Sequence, residues 1–385
     1  MLGIDQFIQA SSAMKKVSLG LLTNHAVFAS SGYPVAYELL RQGFSIKKIF
    51  SPEHGILSQG EDGKEQSNGL DYLTQLPVIS LYGKELKPER SDLDGIDVVL
   101  VDLPNVGCRF YTYWWTISFM MEACALQGKK LIIMDRPNLS GRKIDSVEGP
   151  MLDEKNCSSF LGRWNMPLTF PFSFGQLVRW YVHDRKIPLD FEVVSYSESL
   201  DVTFIPPSPA INSQQAVWAF PFMGLFEGLN VNTGRGTTFP FHVIGAPWIN
   251  SLQLHQAFVA QKFRGIEAFP YSYLPMWSRY AGVACHGLYF QITDLEEFKP
   301  VMTGIWLMNY LSVNYAELLE TATYPTAANP SGEKHLDLLL GVPHAHDTFC
   351  SGKEIRALDI APLLNVREWC LQVSELVSNQ KPSPK

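Results

Sequence analysis

Clustered positive charge is missing from this chain. There is no Lys/Arg run and no basic helix face, and the formal charge is −7. A protein that grips a phosphate backbone needs such a cluster, so a nucleic-acid partner is excluded. Long apolar runs are missing as well. No stretch reaches the ~18 residues needed to cross a bilayer, so no membrane span is expected. Met1 to Met14 contain no basic stretch followed by an apolar one, so no signal peptide is evident. A cytoplasmic location follows, or a periplasmic or secreted one if the N-terminus is incomplete. Cysteine is sparse: Cys108, Cys124, Cys157, Cys285, Cys350 and Cys370 show no CxxC spacing. That excludes a zinc framework and a disulfide-dense module, and buried free thiols are expected instead. Nucleotide signatures are absent too. The first strand leads into TNHAVFASSG rather than GxGxxG, and no GxxxxGKS/T occurs. NAD, FAD and P-loop nucleotides are therefore rejected, and neither a cofactor nor a metal is expected. The sequence carries no signal for an oligomeric state.

What is present is a well-buried globular composition. Apolar residues make up 46% and charged residues 18% of 385 residues, too long a chain for one ordinary core. Two domains are expected, 1–205 and 206–385. Aromatics reach 12%, which suits either stacking surfaces for a sugar ring or large aromatic cores.

The first half repeats a pattern of strand, polar cluster and helix, the grammar of βαβ units and a parallel sheet. Strands are predicted at 17–22, 46–50, 77–81, 96–103, 131–134 and 190–196. IDVVLVDL, from Ile96 to Leu103, is the clearest buried strand, a near-continuous apolar run. Helices are predicted from Pro34 to Gln42, from Trp115 to Leu126 with Gly128 as the stop, and from Phe174 to His183. The fold class is thus α/β: a Rossmann-like parallel sheet with a second, smaller α/β domain.

The chain is organised around Lys47 to Gly55, KKIFSPEHG, where a strand ends in Pro and a Glu-His pair follows at once. Ligands of open parallel sheets bind outside the carboxyl ends of the strands. The predicted strand ends deliver Asn24, Glu53, His54, Tyr82, Asp102, Asp135 and Arg136 to one edge. A single acid there is usually a helix cap, whereas a whole polar edge points to a site. Residues 56–72 form a long polar loop beside it, a candidate lid. Glu148 and Arg163 lie in an irregular region further on.

Ile205 to Pro209 reads as a stiff interdomain crossing. Beyond it, FEGLNVNTGRGTT, from Phe226 to Thr238, is Gly-rich and polar. Glycine lets the backbone approach a ligand, and Arg235 can fork onto a carboxylate; a plain surface loop fits equally. Leu288 to Thr293 reads as a strand and Gly304 to Leu311 as helix. The cluster from His344 to Asp347 reads as loop chemistry rather than a metal site. Lys381 to Lys385 reads as a frayed end.

GLLTN, FSPEHG, LPVISLYG, GIDVVLVDLPNVGCRFYTY, IIMDRPN, VEGP, PPSP, FEGLNVNTGRGTT and IGAPW occur in this order from about residue 17 to 305. In these segments the chain resembles the NamZ family, exo-acting β-N-acetylmuramidases of peptidoglycan turnover (glycoside hydrolase family 171). The resemblance implies a Rossmann-like first domain, a smaller α/β second domain and a pocket between them. It also implies removal of β-linked N-acetylmuramic acid from the non-reducing end of a small glycan or muropeptide substrate. Departures occur at Asn105, over Thr169 to Leu177, and at Leu229, Asn232, Thr233 and Phe239, so part of the substrate lining differs.

Glycoside hydrolysis needs a proton donor and a group that stabilises or attacks the cationic sugar. Glu53 is the expected donor, with His54 orienting it or binding a sugar hydroxyl. Glu148, Asp102 and Glu227 are candidates for the second group, with Glu148 ranked first. Arg109 and Arg235 are candidates for the lactyl carboxylate, and Tyr111 and Tyr113 for stacking. Asn24, Asp135, Arg136, Arg163, Asn230 and Thr237 complete the expected substrate-binding set. A catalytically silent sugar-binding protein and a hydrolase of another amino-sugar glycoside are the alternatives.

Overall fold

The computed structural model describes residues 1–197 and 203–379; the expected tail at Lys381 to Lys385 lies outside them. Seven strands build the first sheet: β1 (Ser18–Thr23), β2 (Ser45–Ser51), β3 (Gly69–Leu70), β4 (Pro77–Ser80), β5 (Val98–Asp102), β6 (Lys130–Met134) and β7 (Phe191–Val194). Their order is β3-β4-β2-β1-β5-β6-β7, parallel except for the short edge strand β3. Each strand expected in this half is present, within two residues of its expected start.

Burial explains the order. All five residues of β5 are buried. Val99 and Val101 face one apolar cluster while Val98 and Leu100 face another, as period-two geometry requires of a strand covered on both faces. Gly20 in β1 is a close-packing position: a Cβ there would sit 2.9 Å from the Ile96 side chain and 3.0 Å from that of Phe50. Helices Val35–Arg41, Tyr113–Gln127 and Phe174–Asp184 cross between parallel strands. The second stops at Gly128, whose left-handed φ of 62° suits a residue without Cβ.

The second lobe carries a three-stranded antiparallel sheet of β8 (Val243–Ala246), β9 (Ile266–Tyr273) and β10 (Cys285–Ile292), with β10 in the middle. β10 contains the strand expected from Leu288, whereas β9 is interrupted by Pro270 and carries no strand pattern in the sequence. The edge position tolerates that residue, because a proline cannot donate to a ladder. Helix Pro300–Asn314 packs against helix Ser251–Ala260, where Trp306 meets Phe258 edge-on. Helix Arg367–Asn379 then returns to the first lobe, where Trp369 meets Phe172 and Trp180. One apolar cluster runs from Leu22 of β1 to Val373 of this last helix, so the two lobes share a continuous core. Among the described residues no helix is long and apolar enough to cross a membrane.

Candidate active site

The first chemical element of the site is the turn after β2. His54 has a φ of 66° and Gly55 one of 70°, a tight reversal stored in left-handed backbone. The turn leaves Glu53 buried at the carboxyl end of the sheet. Its Oε1 accepts from the Gly63 amide at 2.7 Å and its Oε2 from the Thr112 hydroxyl at 2.6 Å. Thr112 precedes helix Tyr113–Gln127 but makes no side-chain cap, since its hydroxyl is spent on Glu53. The His54 ring is held through Nδ1, 2.8 Å from the Gly60 carbonyl.

Residues 56–68 fold over this turn and are stitched to the second lobe. The Ala327 amide donates to the Gly63 carbonyl at 2.7 Å. Asp62 accepts from Arg235 Nη1 at 2.6 Å and from the Tyr324 hydroxyl. Arg235 also holds Glu227, with Nε to Oε1 at 2.7 Å. One guanidinium thus lies between two carboxyl groups. Burial opposes ionisation of Asp62, but the charge of Arg235 and the Tyr324 hydroxyl outweigh it, and its carboxyl is held below the usual range. Burial pushes Glu227 up to about 7 against the pull of Arg235, with the Asp62 charge adding to the rise. Arg235 itself stays cationic despite burial, because of its two acidic neighbours. Two carboxyls on one cation cannot both ionise freely, and the environment drives them apart.

Glu53, His54, Asp62, Tyr82, Glu227 and Arg235 line a single cavity between the lobes, which encloses about 740 Å³ including its open mouth. Tyr111 borders it, while its hydroxyl donates to the Pro207 carbonyl at 3.1 Å.

The other expected residues lie elsewhere. Glu148, ranked first as the second group, caps a helix: its carboxyl oxygens accept from the amides of Val301 and Met302 at 2.8 and 3.2 Å. A carboxylate at a helix N-terminus satisfies orphan donors and complements the dipole. Asp102 and Arg136 form a buried ion pair with each other. Asp135 accepts from the Ser173 hydroxyl at 2.6 Å and the Gly175 amide at 3.0 Å, tying β6 to the following crossover helix. Arg109 is fully buried and donates to the carbonyls of Pro150, Met166 and Leu339, so it is closed to any lactyl carboxylate. Arg163 grips Glu122 at 2.9 Å and lies over Phe119. Asn24 donates to the Tyr113 hydroxyl at 3.0 Å, and Tyr113 donates to Pro207 at 2.7 Å, so that ring is locked rather than presented for stacking.

Asn230 holds Leu318 and Glu320, and Thr237 closes its own loop onto Gly234. The glycines of that loop serve packing. A Cβ on Gly236 would lie 2.1 Å from the Trp277 carbonyl oxygen, so the close approach is to protein backbone rather than to a ligand. The polar edge of the sheet thus divides. The ends of β2 and β4 open to the cavity, and those of β1, β5 and β6 are sealed by mutual pairing.

Sequence reasoning missed Asp62, Thr112, Tyr324 and His335. Asp62 was within reach, since it lies in the polar loop singled out beside the crevice. Thr112 lies between the two singled-out tyrosines. Tyr324 and His335 come from the last part of the chain, where no local pattern marks them.

As a helix cap outside the chemistry, Glu148→Gln is expected to lower stability by about 1–3 kcal/mol, because the new amide nitrogen cannot accept from one of the two backbone amides, and to leave kcat and KM for a glycoside substrate within twofold. Parallel denaturation and kinetics check this; a large loss of kcat at unchanged stability would return Glu148 to the chemistry.

Comparison with known proteins bears on both halves. The family model for the N-terminal part of the exo-β-N-acetylmuramidase NamZ matches residues 19–215. The model for its C-terminal part matches residues 218–369. The peptidoglycan β-N-acetylmuramidase NamZ of Bacillus subtilis (strain 168) is 33% identical over 330 residues, 83% of this chain and 78% of that protein. Two crystal structures of DUF1343 family proteins from Bacteroides fragilis NCTC 9343 have the same fold. One superposes with a TM-score of 0.83 at 23% identity, covering 99% of this chain and 98% of the other. The second gives 0.72 at 25% identity, covering 98% and 97%.

Proposed function

Because the chain belongs to the exo-β-N-acetylmuramidase NamZ family across both of its halves, we propose that it hydrolyses the glycosidic bond of a terminal N-acetylmuramic acid. The enzyme is a glycoside hydrolase of cell-wall recycling, and its substrate is the non-reducing end of a peptidoglycan fragment. The observation that carries this reading is the match of both family models, supported by a cavity in which Glu53 and His54 meet acids from elsewhere in the chain.

In the mechanism we infer, Glu53 handles the proton at the leaving oxygen. Its two hydrogen bonds, from Gly63 and Thr112, fix the carboxyl plane. A positioned carboxyl contributes ~100-fold or more to such a step. Of the three candidates for the second group, Asp102 is paired with Arg136 and Glu148 caps a helix, and Glu227 is the one that lines the cavity. Asp62 and Glu227 together outnumber Arg235 in charge once both ionise. Their field favours the positive charge that develops on the sugar ring. Arg235, already engaged by two carboxyls, acts on them rather than on the substrate's lactyl group.

A panel of chromogenic glycosides tests the proposal. The β-N-acetylmuramic acid glycoside is expected to be cleaved, and glycosides lacking the lactyl ether to be cleaved at least tenfold more slowly. Binding of muropeptide with no sugar released over long incubation would select a silent binding protein instead.

A further inference from the structure

His335 opens the short helix His335–Leu340 in the second lobe and is 3% exposed. Among the described residues, neither of its ring nitrogens has a hydrogen-bond partner. Native interiors rarely leave such atoms unpaired, because each costs about 1–3 kcal/mol without a partner. The ring is not loose. It stacks on Tyr324 with centroids 4.7 Å apart and an interplanar angle of 15°. The Tyr324 hydroxyl in turn donates to Asp62. An imidazole with a fixed plane and two unsatisfied nitrogens therefore borders the same cavity as Glu53.

Burial pushes this ring's pKa down to about 4, with the Asp62 charge pulling only weakly the other way. At working pH the ring is neutral and offers one donor and one acceptor. N-acetylmuramic acid presents three kinds of group to it. A carboxylate is disfavoured, since a neutral imidazole brings no charge and Asp62 stands close by. A hydroxyl would use the ring but leave Ala328, Leu338 and Leu339, apolar lining of the same cavity, without a partner. An acetamido group fits both features, because its methyl needs an apolar wall and its amide needs a hydrogen-bond partner.

We propose that His335 is the specificity-determining residue that recognises the acetamido group of the terminal sugar in the cavity. This rests on the muramidase reading above, and it assigns a role to a position in a segment the sequence motifs do not reach.

Calorimetric binding of two free sugars, N-acetylmuramic acid and muramic acid lacking the acetyl group, tests it on the full chain. His335→Phe keeps a ring to stack on Tyr324 and removes both nitrogens. The expected result is a roughly tenfold weaker affinity for N-acetylmuramic acid, the worth of one hydrogen bond. Affinity for muramic acid is expected to be unchanged, and the melting temperature unchanged or raised because the unpaired nitrogens are gone. His335→Gln, which keeps a donor and an acceptor, is expected to recover part of the selectivity. Equal losses for the two sugars, unchanged affinity for both, or no binding of either by the wild type would overturn the inference. Turnover of the chromogenic panel by the wild type judges the muramidase reading separately.

Discussion

Glu53→Gln is expected to fold as the wild type does and to turn over a muramic acid glycoside about 100-fold more slowly, or worse. The substitution is nearly isosteric. The amide oxygen still accepts from the Gly63 amide, and the Thr112 hydroxyl can rotate to accept from the new amide nitrogen. Neither partner is left unpaired, so stability should change little. What disappears is a proton at the glycosidic oxygen. KM should move far less than kcat, since the cavity walls are unchanged. Steady-state kinetics with a chromogenic substrate, alongside a melting curve, separates the two effects. A variant that retains more than a tenth of wild-type kcat would remove Glu53 from the chemistry.

Arg235→Met carries the second large effect, and this one is in stability as well as activity. Arg235 is the shared cation of Asp62 and Glu227, and both carboxyls are held close to it. Removing one partner of a buried ionic group costs roughly 3–5 kcal/mol, because the remaining charge keeps its desolvation penalty. Here two acids lose the cation they share. The sign of the pH dependence follows from the two shifts. Asp62 sits below its ordinary value, so its contribution is present above the unfolded pKa and lost as pH falls through the folded one. Glu227 is raised to about 7, so it favours the folded state at low pH and that contribution is lost as pH rises through this value. Without the guanidinium both carboxyls become harder to ionise. The deficit of Arg235→Met should therefore be largest above about pH 7 and shrink as pH falls toward ~4, where protonation neutralises them. Urea denaturation at several pH values measures it, and a deficit independent of pH would show that the trio is not electrostatically coupled.

The same trio explains how the loop over the site is placed. Asp62 and Gly63 come from the first lobe, while Arg235, Tyr324 and Ala327 come from the second. Gly63 also donates to Glu53. Loop closure and the orientation of the candidate proton donor are thus one event, made of the same few hydrogen bonds. Arg235→Met should on this account lower kcat by loosening Glu53, beyond its effect on folding.

Much of this molecule is legible without coordinates. A run such as IDVVLVDL can only be a strand covered on both faces, and the succession of such runs with Gly-stopped helices between them dictates a parallel sheet. The turn at Pro52 to Gly55 is equally local. A strand end, a Glu-His pair and a glycine that accepts left-handed backbone place a carboxyl at the sheet's binding edge whatever surrounds it. Local pattern could not say which polar residues at that edge face a ligand and which face one another. Asp102 and Asp135 end their strands just as conspicuously, yet one is neutralised by Arg136 and the other ties down a helix start. Arg109 and Glu148 have the composition of a site and the surroundings of a core. Those outcomes depend on which groups the second lobe brings near, and that is set by packing across hundreds of residues. Tyr324 and His335 enter the cavity because the chain after β10 folds back onto the loop at Asp62 and Gly63. Sequence alone therefore determined the scaffold and one acid on it; the remaining members of the site were chosen by tertiary burial, which decides whether a charged group spends its hydrogen bonds on the protein or keeps them for a substrate.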